Sequence, residues 1–407
     1  MNRRYFLQRS GAVAGMGMLG LSGCAKQVQA KASAGAPSLP FYDVVPPLVP
    51  IRAHEDRLFR ITVCLRPFRA EGPRLDVERV GYKTVVHNYG HGGSGWSLSW
   101  GSSTVAVKKA LTDGDRDIAV IGCGALGLTS AILLQRSGAK VTIYAKERPP
   151  DVRSSRATGS WTPDSRVALT SAAAPGFGDL WEQMARTSFA MYQSYLGMPG
   201  TPVEWTDRYL LSDTSPQEDM GSGSREDPLG FAHYNDRIRD LTPRSQDLPA
   251  GSHPFPTKYV RRSTSMTFNV SDYSRQLYND FLLAGGKIET VELHTPSDIA
   301  LLPQKTLINA TGYGARQLWA DKSMTPVRGQ VGWLIPQEGV NYGLQYNGLN
   351  VLGRRDGIVI QPMPLGDATG WNDDNEQPDR DEAIAGMRIL QELYGRMQTA
   401  PPQKKAG

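Results

Sequence analysis

The segment that most constrains the fold runs from Ile118 to Leu134, where an apolar stretch leads into three closely spaced glycines. Its first four residues are apolar without alternation, as is typical of a parallel strand covered on both faces. Gly122, Gly124 and Gly127 then follow in G-x-G-x-x-G spacing and open a helical pattern. Such glycines permit a tight turn, the approach of a pyrophosphate and close helix packing. The sequence therefore predicts a dinucleotide site; the alternative is an ordinary strand-to-helix turn.

Length and composition set broad limits on the function. The 407 residues suffice for one large domain or two, and 40% hydrophobic with 21% charged residues is typical of a soluble globular protein. The net charge of +5 is spread along the chain without a basic block between aromatic residues, so we predict no nucleic-acid partner. The three cysteines, Cys24, Cys64 and Cys123, lack metal-ligand spacing, so we predict neither a metal site nor a disulfide framework.

The N-terminal residues have the features of an export signal. Arg3 and Arg4 form a twin-arginine pattern, and the mildly apolar stretch 11–21 follows. Leu-Ser-Gly-Cys24 resembles a bacterial lipobox, in which Cys24 carries the lipid. We therefore expect residues 1–24 to be a twin-arginine lipoprotein signal and an Ala-, Ser- and Pro-rich linker at 25–50. The protein is then exported and anchored by lipid to a membrane, in the periplasm or at the cell surface. The alternative is a basic tail with a chance cysteine.

A second glycine-rich segment, residues 87–100, precedes the dinucleotide motif. It reads His-Asn-Tyr-Gly-His-Gly-Gly-Ser-Gly-Trp-Ser-Leu-Ser-Trp, with four glycines between positions 90 and 95. Consecutive backbone N–H groups exposed at glycines suit a flat or anionic ligand. A flexible glycine loop is the alternative interpretation.

This segment, together with Arg66-Pro-Phe-Arg69 upstream, resembles the C-terminal signature of the D-amino acid oxidase family, whose members depend on FAD. In that family the signature ends the chain and the G-x-G-x-x-G turn begins it. Here the order is reversed, so the chain resembles a circularly permuted member with the join between Ser102 and Asp117. The resemblance extends from about residue 57 to 398.

The resemblance implies an α/β fold, with an FAD-binding Rossmann-like domain and a second, antiparallel-sheet substrate domain. We expect the oxidase to occupy residues 51–400. The FAD domain is expected to combine 57–160 with 285–316, and the substrate domain 161–284 with 317–398. Scaffold helices are predicted at Trp181–Leu196, from an N-cap at Asp272 to Gly285, and at Ile384–Met397.

The resemblance also implies which residues bind FAD. Ser154 and Ser155 are expected to face phosphate, and Gly159 and Ser160 to lie beside the isoalloxazine. An acid for the ribose is expected about 20 residues beyond the glycines, where this chain has Ala-Lys146-Glu. The complete expected set is Gly92, Gly93, Ser94, Gly95, Trp96, Ser97, Gly122, Gly124, Ala125, Leu126, Gly127, Lys146, Arg153, Ser154, Ser155, Gly159, Ser160, Val291, Ala310 and Thr311.

For the substrate, the resemblance implies that Arg66 is the catalytic arginine. A guanidinium binds a carboxylate through two parallel hydrogen bonds, which a lysine cannot reproduce. Tyr346 and Ser94 are expected to complete the substrate site. Two departures from the family pattern affect its shape: Asn350 replaces a usual tyrosine, and Gln361-Pro replaces a usual Gly-Gly pair.

The implied reaction is oxidative deamination of D-amino acids to 2-oxo acids, with ammonia and hydrogen peroxide as products and molecular oxygen as acceptor. One alternative is FAD-dependent oxidation of D-aspartate, glycine or a secondary amine with a different electron acceptor. Another is a lipid-anchored, flavin-binding protein without turnover.

Overall fold

The structure, a computed structural model, describes residues 48–215 and 228–399. The expected signal, its Cys24 and most of the expected linker lie outside these residues. Within the two described ranges, no helix is long and apolar enough to cross a membrane.

The described strands form two sheets, one of six strands and one of eight. In chain order the strands are β1 (Leu58–Arg69), β2 (Val77–Val80), β3 (Lys83–His87), β4 (Asp117–Ile121), β5 (Lys140–Ala145), β6 (Val203–Ser212), β7 (Gln246–Leu248), β8 (Tyr259–Phe268), β9 (Lys287–Thr290), β10 (Thr306–Asn309), β11 (Met324–Leu334), β12 (Gly343–Tyr346), β13 (Leu349–Arg354) and β14 (Gly357–Pro362).

The described residues also form six α-helices. They are α1 (Gly95–Ala110), α2 (Ala125–Arg136), α3 (Phe177–Gln193), α4 (Val270–Leu283), α5 (Ala315–Leu318) and α6 (Arg380–Thr399).

The six-stranded sheet has the order β2-β3-β10-β4-β5-β9 and is parallel from β3 to β9. The last four residues of β4 are buried, as the unbroken apolar run predicts for a strand covered on both faces. Gly122 turns the chain with φ +104°, a left-handed value that favours glycine. A Cβ on Gly127 would overlap the Gly122 carbonyl, so α2 packs directly on the turn. This sheet is the predicted Rossmann-like unit, and the α/β fold class is confirmed.

The eight-stranded sheet has the order β1-β11-β14-β13-β12-β6-β8-β7 and is antiparallel except for the β6–β12 pair. Its β1 pairs with β11 along almost its whole length, from Leu58 to Arg69. Residues 58–69, which we assigned to the FAD domain, therefore belong to the second sheet. Conversely, α4 contributes Tyr273 and Leu277 to the core of the first sheet.

The predicted N-cap of α4 is wrong. The cap is Asn269, and Asp272 lies within the first turn, close to Arg275. The helix begins earlier because Val270 is fully buried and anchors that turn in the core. Asn269 holds the entry through its side-chain amide, which donates to the Thr201 carbonyl at 2.6 Å.

Candidate active site

A cavity of about 810 Å³ lies between the two sheets. Its walls come from the carboxyl ends of β4, β5 and β10 on one side and from β1, β6 and β11–β14 on the other. Ligands of open α/β sheets bind at such carboxyl ends, and the volume lies within the usual range for ligand pockets.

The cavity brings together most of the residues expected at the site, although they come from four separate parts of the chain. They are Arg66, Gly92, Gly93, Gly95, Trp96, Gly122, Gly124, Ala125, Leu126, Lys146, Arg153, Ser154, Gly159, Ser160, Val291, Ala310 and Thr311.

Tyr346 lies elsewhere, so the structure contradicts its expected role in substrate binding. Its hydroxyl donates to the Asp213 carboxylate at 2.8 Å, and the side chain belongs to the core beneath the other face of the sheet. Successive residues of a strand point to opposite faces. Gln345 therefore lines the cavity, whereas its neighbour Tyr346 points away from it.

Four further expected residues also lie outside the cavity lining. Ser94 donates to the Ser165 carbonyl at 2.9 Å, and the Ser97 hydroxyl accepts the Thr162 N–H at 2.8 Å. Both serines thus hold the start of α1 against the segment 160–165. Gly127 lies within α2, where its lack of a side chain lets the helix pack directly on the turn at Gly122. The fourth is Ser155, whose buried hydroxyl has no hydrogen-bond partner among the residues that the structure describes.

Two long helices begin at the cavity wall, which suits an anionic group. Gly95 opens α1 and Ala125 opens α2, and both residues line the cavity. A Cβ on Gly95 would meet nothing nearer than Leu126 Cδ2 at 3.9 Å, so the backbone there faces open space. The N–H groups and dipole of a helix N-terminus attract anions such as pyrophosphate.

Ser154 connects these two helix starts. Its hydroxyl accepts the Ala125 N–H at 3.1 Å, and its carbonyl accepts the Trp96 indole N–H at 2.8 Å. The two helix starts with Ser154 between them form a cradle that fits the pyrophosphate of FAD. At the expected ribose end, Lys146 forms a half-exposed ion pair with Glu292 at 3.2 Å.

Arg66 extends from β1 into the cavity. Its Nη1 donates to the Arg328 carbonyl at 3.0 Å, and within the described residues it forms no salt bridge with a carboxylate. Burial lowers the pKa of the guanidinium, yet an arginine stays protonated at physiological pH. The site therefore presents a half-buried positive charge that has no fixed counter-ion among the described residues, which suits a carboxylate ligand.

The sequence reasoning missed Arg208 on β6, which also lines the cavity. Its guanidinium donates to the Ser160 hydroxyl, and its buried Nε has no hydrogen-bond partner in the described part of the chain. Burial lowers the pKa of Arg208 to about 10. The sequence did contain one indication of this residue. Val203 and Tyr209 are buried positions of the same strand, and Arg208 places a charge directly beside one of them.

Polar amides form a row across the floor of the cavity. Gln345, Asn350 and Gln361 are register neighbours on β12, β13 and β14, and all three line the cavity. The Thr158 hydroxyl donates to Gln361 Oε1 at 2.8 Å. The two departures from the family pattern that the sequence revealed therefore both lie at this site.

Comparison with known proteins identifies the family of the chain. A sequence model of the DAO family, described as FAD dependent oxidoreductase, matches residues 117–404. The chain therefore belongs to this family and is an FAD-dependent oxidoreductase.

Among characterised relatives, a D-amino-acid oxidase of Streptomyces coelicolor is 29% identical over 304 residues, which cover 69% of this chain and 82% of the relative. A D-amino-acid oxidase of Schizosaccharomyces pombe is 25% identical over 224 residues, covering 53% and 58% of the two chains. Among solved structures, the iminodiacetate oxidase of Chelativorans sp. BNC1 shares 17% identity with a TM-score of 0.49, covering 70% of this chain and 80% of that one.

Proposed function

We propose that the protein catalyses the oxidative deamination of D-amino acids to 2-oxo acids, with ammonia and hydrogen peroxide as products. The observation that carries this proposal is the position of Arg66. Its guanidinium has no carboxylate counter-ion within the ranges 48–215 and 228–399, and it lies in the same cavity as the dinucleotide cradle. A substrate carboxylate bound there through two hydrogen bonds is oriented toward the space next to the cradle.

The residues of the chain supply binding and orientation. Gly95, Ala125 and Ser154 are placed to hold FAD, and Arg66 to hold the carboxylate. When bound, FAD supplies the acceptor of the two electrons that leave the substrate. A substrate amine that arrives neutral needs no side-chain base, so the orientation given by Arg66 is the main contribution of the protein.

The experiment is an anaerobic titration of the purified yellow protein with D-alanine, with L-alanine as the matched control. We expect the flavin absorbance to bleach with D-alanine alone. Admission of oxygen should restore the colour and produce peroxide, since oxygen is the proposed acceptor. A flavin that stays oxidised with every D-amino acid would contradict the proposal.

We infer further that the gene is a circular permutation of the family arrangement, with the join between Ser102 and Asp117. Support comes from the family match, which begins at residue 117, after the proposed join. The signature segment 87–100 precedes the join, yet Gly92 and Trp96 line the same cavity as Gly124. Permutation is physically tolerated because domain termini often lie close together at the surface.

We also propose that the protein is exported by a twin-arginine signal and anchored by lipid on Cys24. The support is the order and spacing of Arg3, Arg4, the mildly apolar stretch 11–21 and Cys24. Twin-arginine export carries proteins that are already folded, which suits an enzyme that takes up FAD before export.

A further inference from the structure

Arg208 differs from its neighbours in how its charge is compensated. Other arginines of the cavity each form an ion pair with a carboxylate: Arg153, Arg156 and Arg166. Arg316 also lines the cavity, but its side chain is exposed. Arg66 and Arg208 are the two half-buried cavity arginines that lack a salt bridge among the described residues. Leaving a buried charge unpaired costs free energy that a bound anion can recover.

Polar side chains line the cavity that contains both guanidinium groups. Gln361 lines the cavity together with Arg66, and both also line a smaller adjoining cavity of about 130 Å³. Gln361 accepts from Thr158, and two residues further along the chain Ser160 accepts from Arg208. Gly159, between Thr158 and Ser160, has φ +90°, so the chain turns at this point. Because Arg66 and Arg208 line one cavity, a small molecule with two carboxylates can give each guanidinium its own anion.

The hydrogen bonding of the Arg208 guanidinium is consistent with a second anion-binding site. The Arg208 Nε is buried and has no hydrogen-bond partner among the described residues, so the protein satisfies this guanidinium only in part. Ser160, its only hydrogen-bond acceptor among the described residues, is neutral. If Ser160 lies beside the isoalloxazine, as the family resemblance implies, then Arg208 lies at the substrate end of the cavity.

We propose that the substrate is an acidic D-amino acid: Arg66 binds its α-carboxylate and Arg208 binds its side-chain carboxylate. This inference rests on the proposed function, since it assigns the side chain of the same substrate. A neutral D-amino acid leaves Arg208 without an anion, whereas D-aspartate or D-glutamate gives each arginine its own carboxylate.

Binding tests the diacid site without turnover. Holoenzyme is titrated with succinate and with butyrate, a four-carbon monocarboxylate, and the shift of the flavin absorbance gives each dissociation constant. We expect succinate to bind about 100-fold more tightly, a factor within the range measured for close charge pairs at interfaces. In Arg208→Gln this preference should fall to a few-fold, whereas the control Arg261→Gln, which removes an exposed arginine paired with Asp247, should keep it. Equal binding of the two acids by wild type would overturn the inference, as would an unchanged preference in Arg208→Gln.

Turnover then separates this inference from the proposed function. D-Glutamate and D-glutamine have the same shape and differ in side-chain charge, and we expect kcat/KM to favour D-glutamate by about 100-fold in wild type. Arg208→Gln should lose most of this ratio while retaining activity on D-glutamine and its FAD content. An equal loss on both substrates would overturn the inference and assign Arg208 to the flavin. If succinate binding depends on Arg208 but no D-amino acid bleaches the flavin, the proposed function fails and the diacid site stands.

Discussion

The Arg66 guanidinium occupies the space in which residue 329 would carry a side chain. A Cβ built on Gly329 would overlap Cζ and both terminal nitrogens of Arg66. The adjacent Arg328 carbonyl accepts from Arg66 Nη1 at 3.0 Å. Gly329 thus leaves room for the Arg66 guanidinium to lie against β11. The hydrogen bond from Nη1 to the Arg328 carbonyl then fixes the direction in which the remaining N–H groups of the guanidinium point.

Gly329→Ala should displace Arg66 and leave the dinucleotide cradle unchanged. Because a displacement of about 1 Å costs about 100-fold in an oriented reaction, we expect kcat/KM for the best D-amino acid to fall by that order. FAD content should stay at the wild-type level. Gly395→Ala is the control, since a Cβ there meets nothing within 4 Å. Wild-type kinetics in Gly329→Ala would show that Arg66 needs no such space.

Arg66→Ala should leave the buried substrate carboxylate without its partner. This costs roughly 3–5 kcal/mol, or about two to three and a half orders of magnitude in kcat/KM. Arg66→Lys should recover little because an ammonium lacks the fork. The assay compares D-alanine with ethylamine, its decarboxylated analogue, on which the variants should match wild type. Unchanged oxidation of D-alanine by Arg66→Ala would exclude Arg66 as the carboxylate anchor.

The dinucleotide turn could be predicted from sequence because its geometry is local. The positive φ of Gly122 and the contact of Gly127 with the turn depend only on residues a few positions apart. The strand before them is buried on both faces, so its apolar run needs no knowledge of register.

The rest of the site depends on long-range packing. Helix α1 begins at Gly95 inside the glycine-rich segment and is buried around most of its surface, so the 3.6-residue periodicity that reveals surface helices is lacking. Tyr346 shows a second limit. A shift of one residue in strand register moves a side chain to the other face of the sheet. Only the pairing of Gln345 with Asn350 decides that Gln345, and not Tyr346, meets the cavity. Arg208 was missed for the same reason, since the pairing of β6 decides which of its faces meets the cavity.

Gly124→Val should prevent FAD binding. A Cβ on Gly124 would lie 3.1 Å from Ser154 Oγ, and the two further methyl groups of valine extend beside the start of α2. We expect the purified variant to be colourless, measured as the ratio of flavin to protein absorbance. Gly395→Val, in open space, should stay yellow. A Gly124→Val protein with normal FAD stoichiometry would contradict this placement of the pyrophosphate.

Cys24→Ala should abolish lipid attachment, since the lipobox cysteine is the proposed acceptor. Growth with a clickable fatty-acid analogue should label the wild type and not the variant. Cys64→Ala serves as the control, and its labelling should equal that of wild type. Equal labelling of Cys24→Ala would exclude this site.

His91 lies at the cavity wall within a buried hydrogen-bond chain. Its Nε2 is 2.7 Å from the Ser102 hydroxyl, which in turn donates to Asn88 Oδ1 at 2.6 Å. The Ser102 hydroxyl donates its only proton to Asn88, so it must accept the hydrogen bond from His91. His91 is therefore a neutral imidazole that carries its proton on Nε2. Burial lowers the pKa of His91 to about 3, from an ordinary value of 6.5.

This shift makes stability depend on pH. Between about pH 3 and 6.5 the unfolded state binds a proton at His91 that the folded state does not. The contribution of His91 is thus present above pH 6.5 and is lost as the pH falls below it, by about 2 kcal/mol between pH 7 and 5. His91→Gln should lack this part of the acid loss, measured by denaturant unfolding of the holoenzyme at both pH values. His294→Gln, at an exposed position, should keep it. An equal acid loss in His91→Gln and wild type would show that His91 does not remain neutral in the folded protein.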